Sequence, residues 1–137
     1  MIQQGKSKQI LLIDDDEDYR KVLISVGAAF NLKIDGYSSL TELGSMGCIG
    51  NYAGLVVDYH LEELNGLEIC EYVDVFFPDL PVVLITIDDT IPVAKAFRSK
   101  CMKKFVNKAL GPYYAIRKIE EVFYPSKSRE GQVVNCT

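Results

Sequence analysis

Apolar residues alternate along the chain between five short runs and longer stretches in which they recur every three or four positions. The short runs are rich in Val, Ile, Leu and aromatic residues, which is typical of β-strands. The longer spacing predicts amphipathic helices. Predicted strands are 9–13, 33–37, 55–57, 82–85 and 102–106. Predicted helices are 18–30, 67–77, 91–98 and 113–123, with a shorter helix at 41–46 that ends at Gly47.

The polarity of the strands predicts their positions in a sheet. The runs ILLI, LVV and VVLI are continuously apolar, as in strands buried on both faces, whereas KIDGY and MKKFVN carry polar residues typical of sheet edges. Alternating strands and helices predict an α/β fold, a three-layer αβα sandwich around a five-stranded parallel sheet in the order 2-1-3-4-5. The expected ligand site is the crevice at the carboxyl ends of strands 1 and 3, where the chain changes direction.

Length and composition are those of one globular domain. The chain has 137 residues, of which 48% are hydrophobic and 25% charged. We expect a domain at 1–124 and a flexible tail at 125–137. No apolar run reaches the 18 or so residues that cross a bilayer, and the N-terminus does not have the pattern of a secretory signal. Four cysteines without a C-x-x-C pair indicate reduced thiols and a cytoplasmic protein; they are Cys48, Cys70, Cys101 and Cys136.

Polar residues follow the predicted strands at one edge of the sheet. Asp14 and Asp15 follow the first strand, Asp58 the third and Thr86 the fourth, and Lys108 comes shortly after the fifth. Three neighbouring carboxylates cannot all stay ionised unaided, so the pKa of at least one would rise. A divalent cation relieves this repulsion, and Mg²⁺ suits one or two carboxylates with retained waters.

The acidic run 14–18 divides between two roles. Asp16, Glu17 and Asp18 precede or begin the first helix, where an N-cap and the helix dipole favour negative charge. An alternative extends this capping role to the whole run. Asp58, at the end of a neighbouring strand, favours the metal-site interpretation for the first two carboxylates.

A metal, an ammonium and a hydroxyl around one carboxylate are typical of phosphoryl chemistry. Asp58 could attack phosphorus and hold the product as an acyl phosphate. Lys108 would pair with one phosphoryl oxygen and Thr86 would donate to another.

The chain resembles the receiver domain of two-component response regulators over about residues 8–124. The resemblance implies a flavodoxin-like fold. The resemblance rests on LLIDDDEDYRKVL, GLVVDYHLEELNGLEIC, PVVLITIDD and KKFVNKALGPYYAI. It implies that a histidine kinase or phosphotransfer protein phosphorylates Asp58. It also implies Mg²⁺, with Mn²⁺ as a substitute, held by Asp15, Asp58 and the backbone carbonyl of His60, while Asp14 acts mainly through water.

The resemblance further implies a conformational switch. Thr86 would shift toward the phosphate and Phe105 would turn inward to fill the space. His60 and Asp88 match variable positions that tune how water reaches the phosphate. Two departures bear on the site: Ala109 stands where a proline usually follows the lysine, and the bulky Ile87 follows the switch hydroxyl.

Charge is distributed asymmetrically. Residues 1–93 carry 5 basic and 16 acidic side chains, whereas residues 94–118 carry 8 basic and no acidic ones. The resemblance implies that the fourth helix, fifth strand and fifth helix deliver output to a downstream protein or a second copy, and a positive field there would steer an acidic partner. Binding to nucleic acid or membrane is not expected. The basic surface comprises Lys95, Arg98, Lys100, Lys103, Lys104, Arg117 and Lys118.

The main functional prediction is therefore a stand-alone phosphoacceptor signalling domain, not an enzyme beyond self-catalysed phosphotransfer and autodephosphorylation. An alternative is a receiver-like module that is never phosphorylated and acts by docking. A phosphatase that works through an aspartyl phosphate is disfavoured. Such haloacid-dehalogenase-like enzymes have a second aspartate two residues after the nucleophile, and His60 occupies that position here. An FMN-binding flavodoxin is disfavoured because the acidic run would repel the flavin phosphate.

Overall fold

The computed structural model describes residues 9–62, 64–87 and 100–125. Its strands are Ile10–Ile13 (β1), Ile34–Tyr37 (β2), Gly54–Asp58 (β3), Val82–Thr86 (β4) and Met102–Asn107 (β5). Its helices are Glu17–Ala29 (α1), Leu40–Leu43 (α2), Gly66–Phe76 (α3) and Pro112–Phe123 (α4), and two 3₁₀ segments cover Met46–Asn51 and Lys108–Leu110. The helix predicted at 91–98 and nearly all of the predicted tail lie outside the described residues.

The five strands form one parallel sheet in the order β2-β1-β3-β4-β5. This order and the prediction of central and edge strands are confirmed: every residue of β1, β3 and β4 is buried, whereas β2 is half-buried and β5 is mixed. At the β2 edge, the Tyr52 hydroxyl donates to Asp35 Oδ2 at 2.5 Å. This hydrogen bond joins the segment just before β3 to β2.

Two apolar cores lie on opposite faces of the sheet. Alternate residues of the central strands point to each face, so Leu11 and Leu84 join one core while Leu12 and Val83 join the other. Side chains of α2 and α3 complete the first core, and those of α1 and α4 complete the second. The continuously apolar strands therefore have packing partners on both sides, as in a three-layer αβα sandwich.

One local prediction was wrong. The short helix ends at Gly44, not at Gly47, because Gly44 adopts a positive φ of 98° that ends the helix. In α1, Val22 is 44% exposed, whereas Gly27 is buried. A Cβ on Gly27 would lie 2.7 Å from Ile34 Cδ1, so the glycine lets α1 approach β2 closely.

No helix in the described part of the chain is both long enough and apolar enough to cross a membrane.

We predict that Gly66→Ala destabilises the fold. Gly66 begins α3, where an added Cβ would lie 2.4 Å from Leu84 Cδ1 and 3.0 Å from the Tyr59 Cα. Because one of these neighbours is backbone, we expect the free energy of unfolding to fall by about 1–3 kcal/mol in urea denaturation. Gly47→Ala is the control, since its nearest atom is 3.4 Å away, and it should change stability by less than about 0.5 kcal/mol. Equal effects of the two substitutions would contradict the packing argument.

Candidate functional site

Carboxylates gather at the carboxyl edge of the sheet because parallel strands end there together. Asp14 follows β1, Asp58 ends β3, and Asp15 stands next to Asp14. Carboxylate oxygens of these three residues all lie within 4.8 Å of one another. Asp14 is fully buried, Asp58 is 6% exposed and Asp15 is exposed. The sequence-based prediction that these side chains converge is confirmed.

Lys108 reaches into this cluster from the turn after β5. Its Nζ lies 2.6 Å from Asp14 Oδ2 and donates a hydrogen bond to Asp58 Oδ2 at 2.9 Å. The turn is fixed by Asn107, whose Oδ1 accepts from the Ala109 N–H at 2.8 Å. The Lys108–Ala109 peptide bond is trans. A trans bond before Ala109 therefore brings the ammonium to the acidic cluster.

Asp14 is held firmly on its other side. Its Oδ1 accepts from the Asp16 N–H at 2.9 Å, and Arg20 Nη1 donates to its backbone oxygen at 2.7 Å. Burial raises the pKa of Asp14 to about 6, while Lys108 and the Asp16 N–H oppose the rise and Asp58 adds to it. The pKa of one carboxyl rises, as predicted, but burial is the largest cause and repulsion from Asp58 is the smallest.

The pKa of Lys108 moves in the direction that preserves its charge. Burial lowers this pKa, but contact with Asp14 and then with Asp58 outweighs burial and raises it overall. The amine is therefore a fixed cation at neutral pH. It offsets one of the three carboxylate charges, which leaves two negative charges at the edge of the sheet.

This arrangement fits a hard divalent cation. The donors are carboxylate oxygens, which Mg²⁺ prefers, and the remaining charge is equal and opposite to that of the ion. Asp14 Oδ2 is buried and contacts Lys108 Nζ, and a carboxylate oxygen has a second lone pair that a metal-bound water could use. The residues present therefore fit the Mg²⁺ ion that the sequence predicted.

Asp16, Glu17 and Asp18 have the helix-start role that the sequence predicted. Asp16 is the N-cap of α1, and its Oδ1 accepts from the Tyr19 N–H at 3.1 Å. Glu17 and Asp18 lie in the first turn. The acidic run thus divides between the cluster and the helix start.

His60 contributes through its backbone. Its N–H donates to Asp58 Oδ1 at 3.1 Å, so both Asp58 oxygens have donors. The His60 side chain is exposed and packs edge-on against the Tyr59 ring, with centroids 4.8 Å apart. Its imidazole is therefore an exposed loop side chain.

The two residues predicted to switch lie on neighbouring strands. Thr86 ends β4, is 1% exposed and pairs in register with Asn107. Phe105 pairs in register with Leu84 and packs half-buried against the first core. Ile87, the bulky residue after the switch hydroxyl, is 72% exposed. Asp88 lies outside the described residues.

Sequence reasoning missed Tyr19. Lys108 Nζ lies 4.5 Å from the centroid of the Tyr19 ring. The spacing of Tyr19 after the acidic run marks it only as a helix residue, so no sequence pattern predicted the contact. Arg20 was also missed, although a basic side chain six residues beyond Asp14 is a weak signal for a local contact.

The basic surface is partly neutralised where the structure describes it. Lys100 and Lys103 are exposed. On α4, Arg117 Nε lies 3.8 Å from Glu120 Oε1. Lys118 Nζ lies 3.5 Å from Glu121 Oε1. Lys95 and Arg98, which the sequence assigned to the same surface, lie outside the described residues.

The sequence model of the response regulator receiver domain matches residues 10–120. The chain belongs to this family. The receiver domain is a signalling domain, and its acidic pocket here contains the Asp14, Asp15 and Asp58 of a phosphoacceptor site. The non-phosphorylated alternative is not favoured. The family assignment and the fold predicted from the sequence are both confirmed.

Relatives and solved structures agree with this assignment. The C4-dicarboxylate transport transcriptional regulatory protein DctD of Rhizobium meliloti is 31% identical over 86 residues, which are 62% of this chain and 18% of that protein. The response regulator MprA of Mycobacterium bovis is 32% identical over 89 residues, 62% of this chain and 37% of that protein. The chain therefore spans well under half the length of these relatives.

The fold is also that of a solved receiver protein. TrrA from Thermotoga maritima, solved in complex with Mg(2+)-BeF, superposes with a TM-score of 0.73 at 20% identity, over 85% of this chain and 99% of that one.

We predict a pH-dependent gain in stability for Asp14→Asn without divalent metal. Between pH 3.8 and about 6 the folded protein binds a proton at Asp14 that the unfolded chain releases, so this group lowers stability as the pH rises. Asparagine does not titrate. We expect the variant to gain about 1–3 kcal/mol over the wild type above pH 6, and the gain to vanish toward pH 4.

Urea denaturation in EDTA at several pH values measures this gain. Asp18→Asn, in the first turn of α1, is the control and should change stability by less than about 1 kcal/mol at every pH. A gain for Asp14→Asn that is independent of pH would contradict the raised pKa.

Proposed function

We propose that this chain accepts a phosphoryl group on Asp58 from the phosphohistidine of a histidine kinase or phosphotransfer protein. The observation that supports it most is the hydrogen bond from Lys108 Nζ to Asp58 Oδ2, made beside two further carboxylates. An ammonium held against one carboxylate in a metal-fitting cluster is the arrangement that phosphoryl transfer uses.

Each residue at the edge has a distinct proposed role. An Asp58 carboxylate oxygen attacks phosphorus, the bond from phosphorus to the imidazole nitrogen breaks, and the nitrogen keeps the electron pair. The His60 N–H and Lys108 orient the carboxylate before attack. Lys108 then moves its hydrogen bond to one phosphoryl oxygen, and Thr86 donates its hydroxyl to another. In autodephosphorylation water attacks phosphorus, the bond to the Asp58 oxygen breaks, and inorganic phosphate leaves the restored carboxylate. His60 and Asp88 tune how water reaches the phosphate.

Asp15, Asp58 and the His60 backbone carbonyl are the proposed metal ligands, with Asp14 acting through a bound water. A bound Mg²⁺, or Mn²⁺ in its place, would neutralise negative charge on the carboxylates and phosphoryl oxygens. The charge remaining after Lys108 supports a divalent ion.

The proposed output is a change in packing behind Thr86. Phe105 lies two strand residues before Asn107, which pairs with Thr86, and this pairing supports the proposed coupling of the two positions through β4 and β5. The phosphorylated state would favour a different placement of Phe105 and change the basic surface, which would bind a downstream protein or a second copy. We propose residues 1–124 as the receiver unit, with 125–137 as a tail, in the cytoplasm.

We predict that a small-molecule phosphodonor with Mg²⁺ adds one phosphoryl group at Asp58. Intact-mass spectrometry should detect the adduct in the wild type and none in Asp58→Asn. Lys108→Met should slow its formation about a hundredfold, because one charged donor to the developing phosphoryl charge is lost. Asp16→Asn is a matched control because asparagine also caps α1, and its rate should equal that of the wild type. A folded wild-type protein that never forms the adduct would leave only the docking function.

We predict that Mg²⁺ binding depends on Asp15 and Asp58 and not on Asp16, the N-cap of α1. Asp15→Asn and Asp58→Asn should each raise the dissociation constant about tenfold or more in isothermal titration calorimetry, because each removes an anionic ligand. Asp16→Asn should stay within about twofold of the wild type. Equal affinities for all four proteins would exclude the proposed ligand set.

A further inference from the structure

The Lys108 ammonium has contacts of two kinds in the described structure. It pairs with the Asp14 and Asp58 carboxylates, and it lies 4.5 Å from the centroid of the Tyr19 ring. A lysine cation at this distance from an aromatic face is attracted by the ring quadrupole, and more strongly where water is excluded. Lys108 is 10% exposed at its side chain, so this attraction acts with little solvent screening.

The two carboxylates change in the proposed reaction and the ring does not. Asp58 would become an acyl phosphate and lose its carboxylate charge. Asp14 would divide its carboxylate between Lys108 and a metal-bound water. The Tyr19 ring has no affinity for Mg²⁺ and accepts no phosphoryl group in the proposed step, so its hold on the amine is the same before and after transfer.

Local structure fixes the position of the ring. The Tyr19 N–H donates to the Asp16 cap at 3.1 Å, which sets the first turn of α1 over the sheet edge. The Tyr19 side chain packs against the second core. Its hydroxyl is buried without a hydrogen-bond partner among the described residues, which is unfavourable for a buried polar group. The described contact of Tyr19 with the site is therefore made by the ring face.

We propose that Tyr19 is a positioning residue for Lys108: its ring holds the ammonium over the acidic cluster while the carboxylate partners of the lysine change during phosphoryl transfer. This inference rests on the proposed function for its kinetic consequence. The placement of the amine over the ring can be tested without phosphorylation.

The test compares Tyr19→Phe, which keeps the ring and removes the hydroxyl, with Tyr19→Leu, which removes the ring. The matched control is Tyr114→Leu, because Lys118 Nζ lies 5.4 Å from the Tyr114 ring centroid on α4 and Tyr114 has no role in the site. All variants are full-length chains whose folding is checked by circular dichroism and thermal unfolding.

The first measurement is the proton chemical shift of the Lys108 ε-methylene by NMR, with Mg²⁺ and no phosphodonor. The ring current should shift these protons upfield in the wild type and in Tyr19→Phe, and the shift should disappear in Tyr19→Leu. Tyr114→Leu should leave it unchanged. An unshifted Lys108 in the wild type would overturn the proposed contact whether or not Asp58 is phosphorylated.

The second measurement is the rate of adduct formation at saturating Mg²⁺. Tyr19→Leu should slow it about tenfold, equal to about 1.4 kcal/mol in activation free energy, and Tyr19→Phe should restore most of the wild-type rate. Equal losses in both Tyr19 variants, or no loss in Tyr19→Leu, would overturn the positioning role. A wild type that forms no adduct while its Lys108 protons are shifted would overturn the proposed function and leave the contact intact.

One further series keeps the test decisive if Tyr19→Leu does not fold. Tyr19→Phe with increasing ring fluorination keeps the shape and reduces the negative potential on the ring face. The phosphorylation rate should fall steadily with each added fluorine. A rate independent of fluorination would overturn the proposal.

Discussion

The contact between one buried ammonium and two carboxylates is the interaction on which this site depends. Asp14 and Asp58 are brought together by the parallel pairing of β1 and β3, which is stabilised by apolar cores on both faces. Without an opposing cation, their charges would repel at close range in a region of low dielectric. Lys108 supplies that cation from the far side of β4, so the packing of the sheet and the electrostatics of its edge are mutually dependent.

Much of this organisation could be predicted from residue patterns. Continuous apolar runs identified the central strands, and polar interruptions identified β2 and β5 as edges. The end of each strand then placed Asp14, Asp58, Thr86 and Lys108 together, because parallel strands share a carboxyl edge. The division of the acidic run was also predictable, since the capping preference is local to Asp16.

Other features depend on tertiary packing and have no signal in local spacing. Burial of Gly27 reflects the close approach of α1 to β2, and a pattern of side chains cannot register a residue that has none. The end of α2 depends on which of two nearby glycines adopts a positive φ. The contact between Tyr19 and Lys108 depends on how α1 lies across the sheet edge, which residue spacing does not determine.

The contact between Asp58 and Lys108 joins residues 50 positions apart. Asp14, the other carboxylate partner of Lys108, lies still earlier in the chain. During synthesis on the ribosome the acidic residues emerge first, and the cation that balances them emerges only after β5. A nascent chain that stops before β5 can pair its first four strands but keeps an unbalanced negative edge. Because Lys108 directly follows β5, the last strand and the cation that balances the acidic edge emerge together, late in translation.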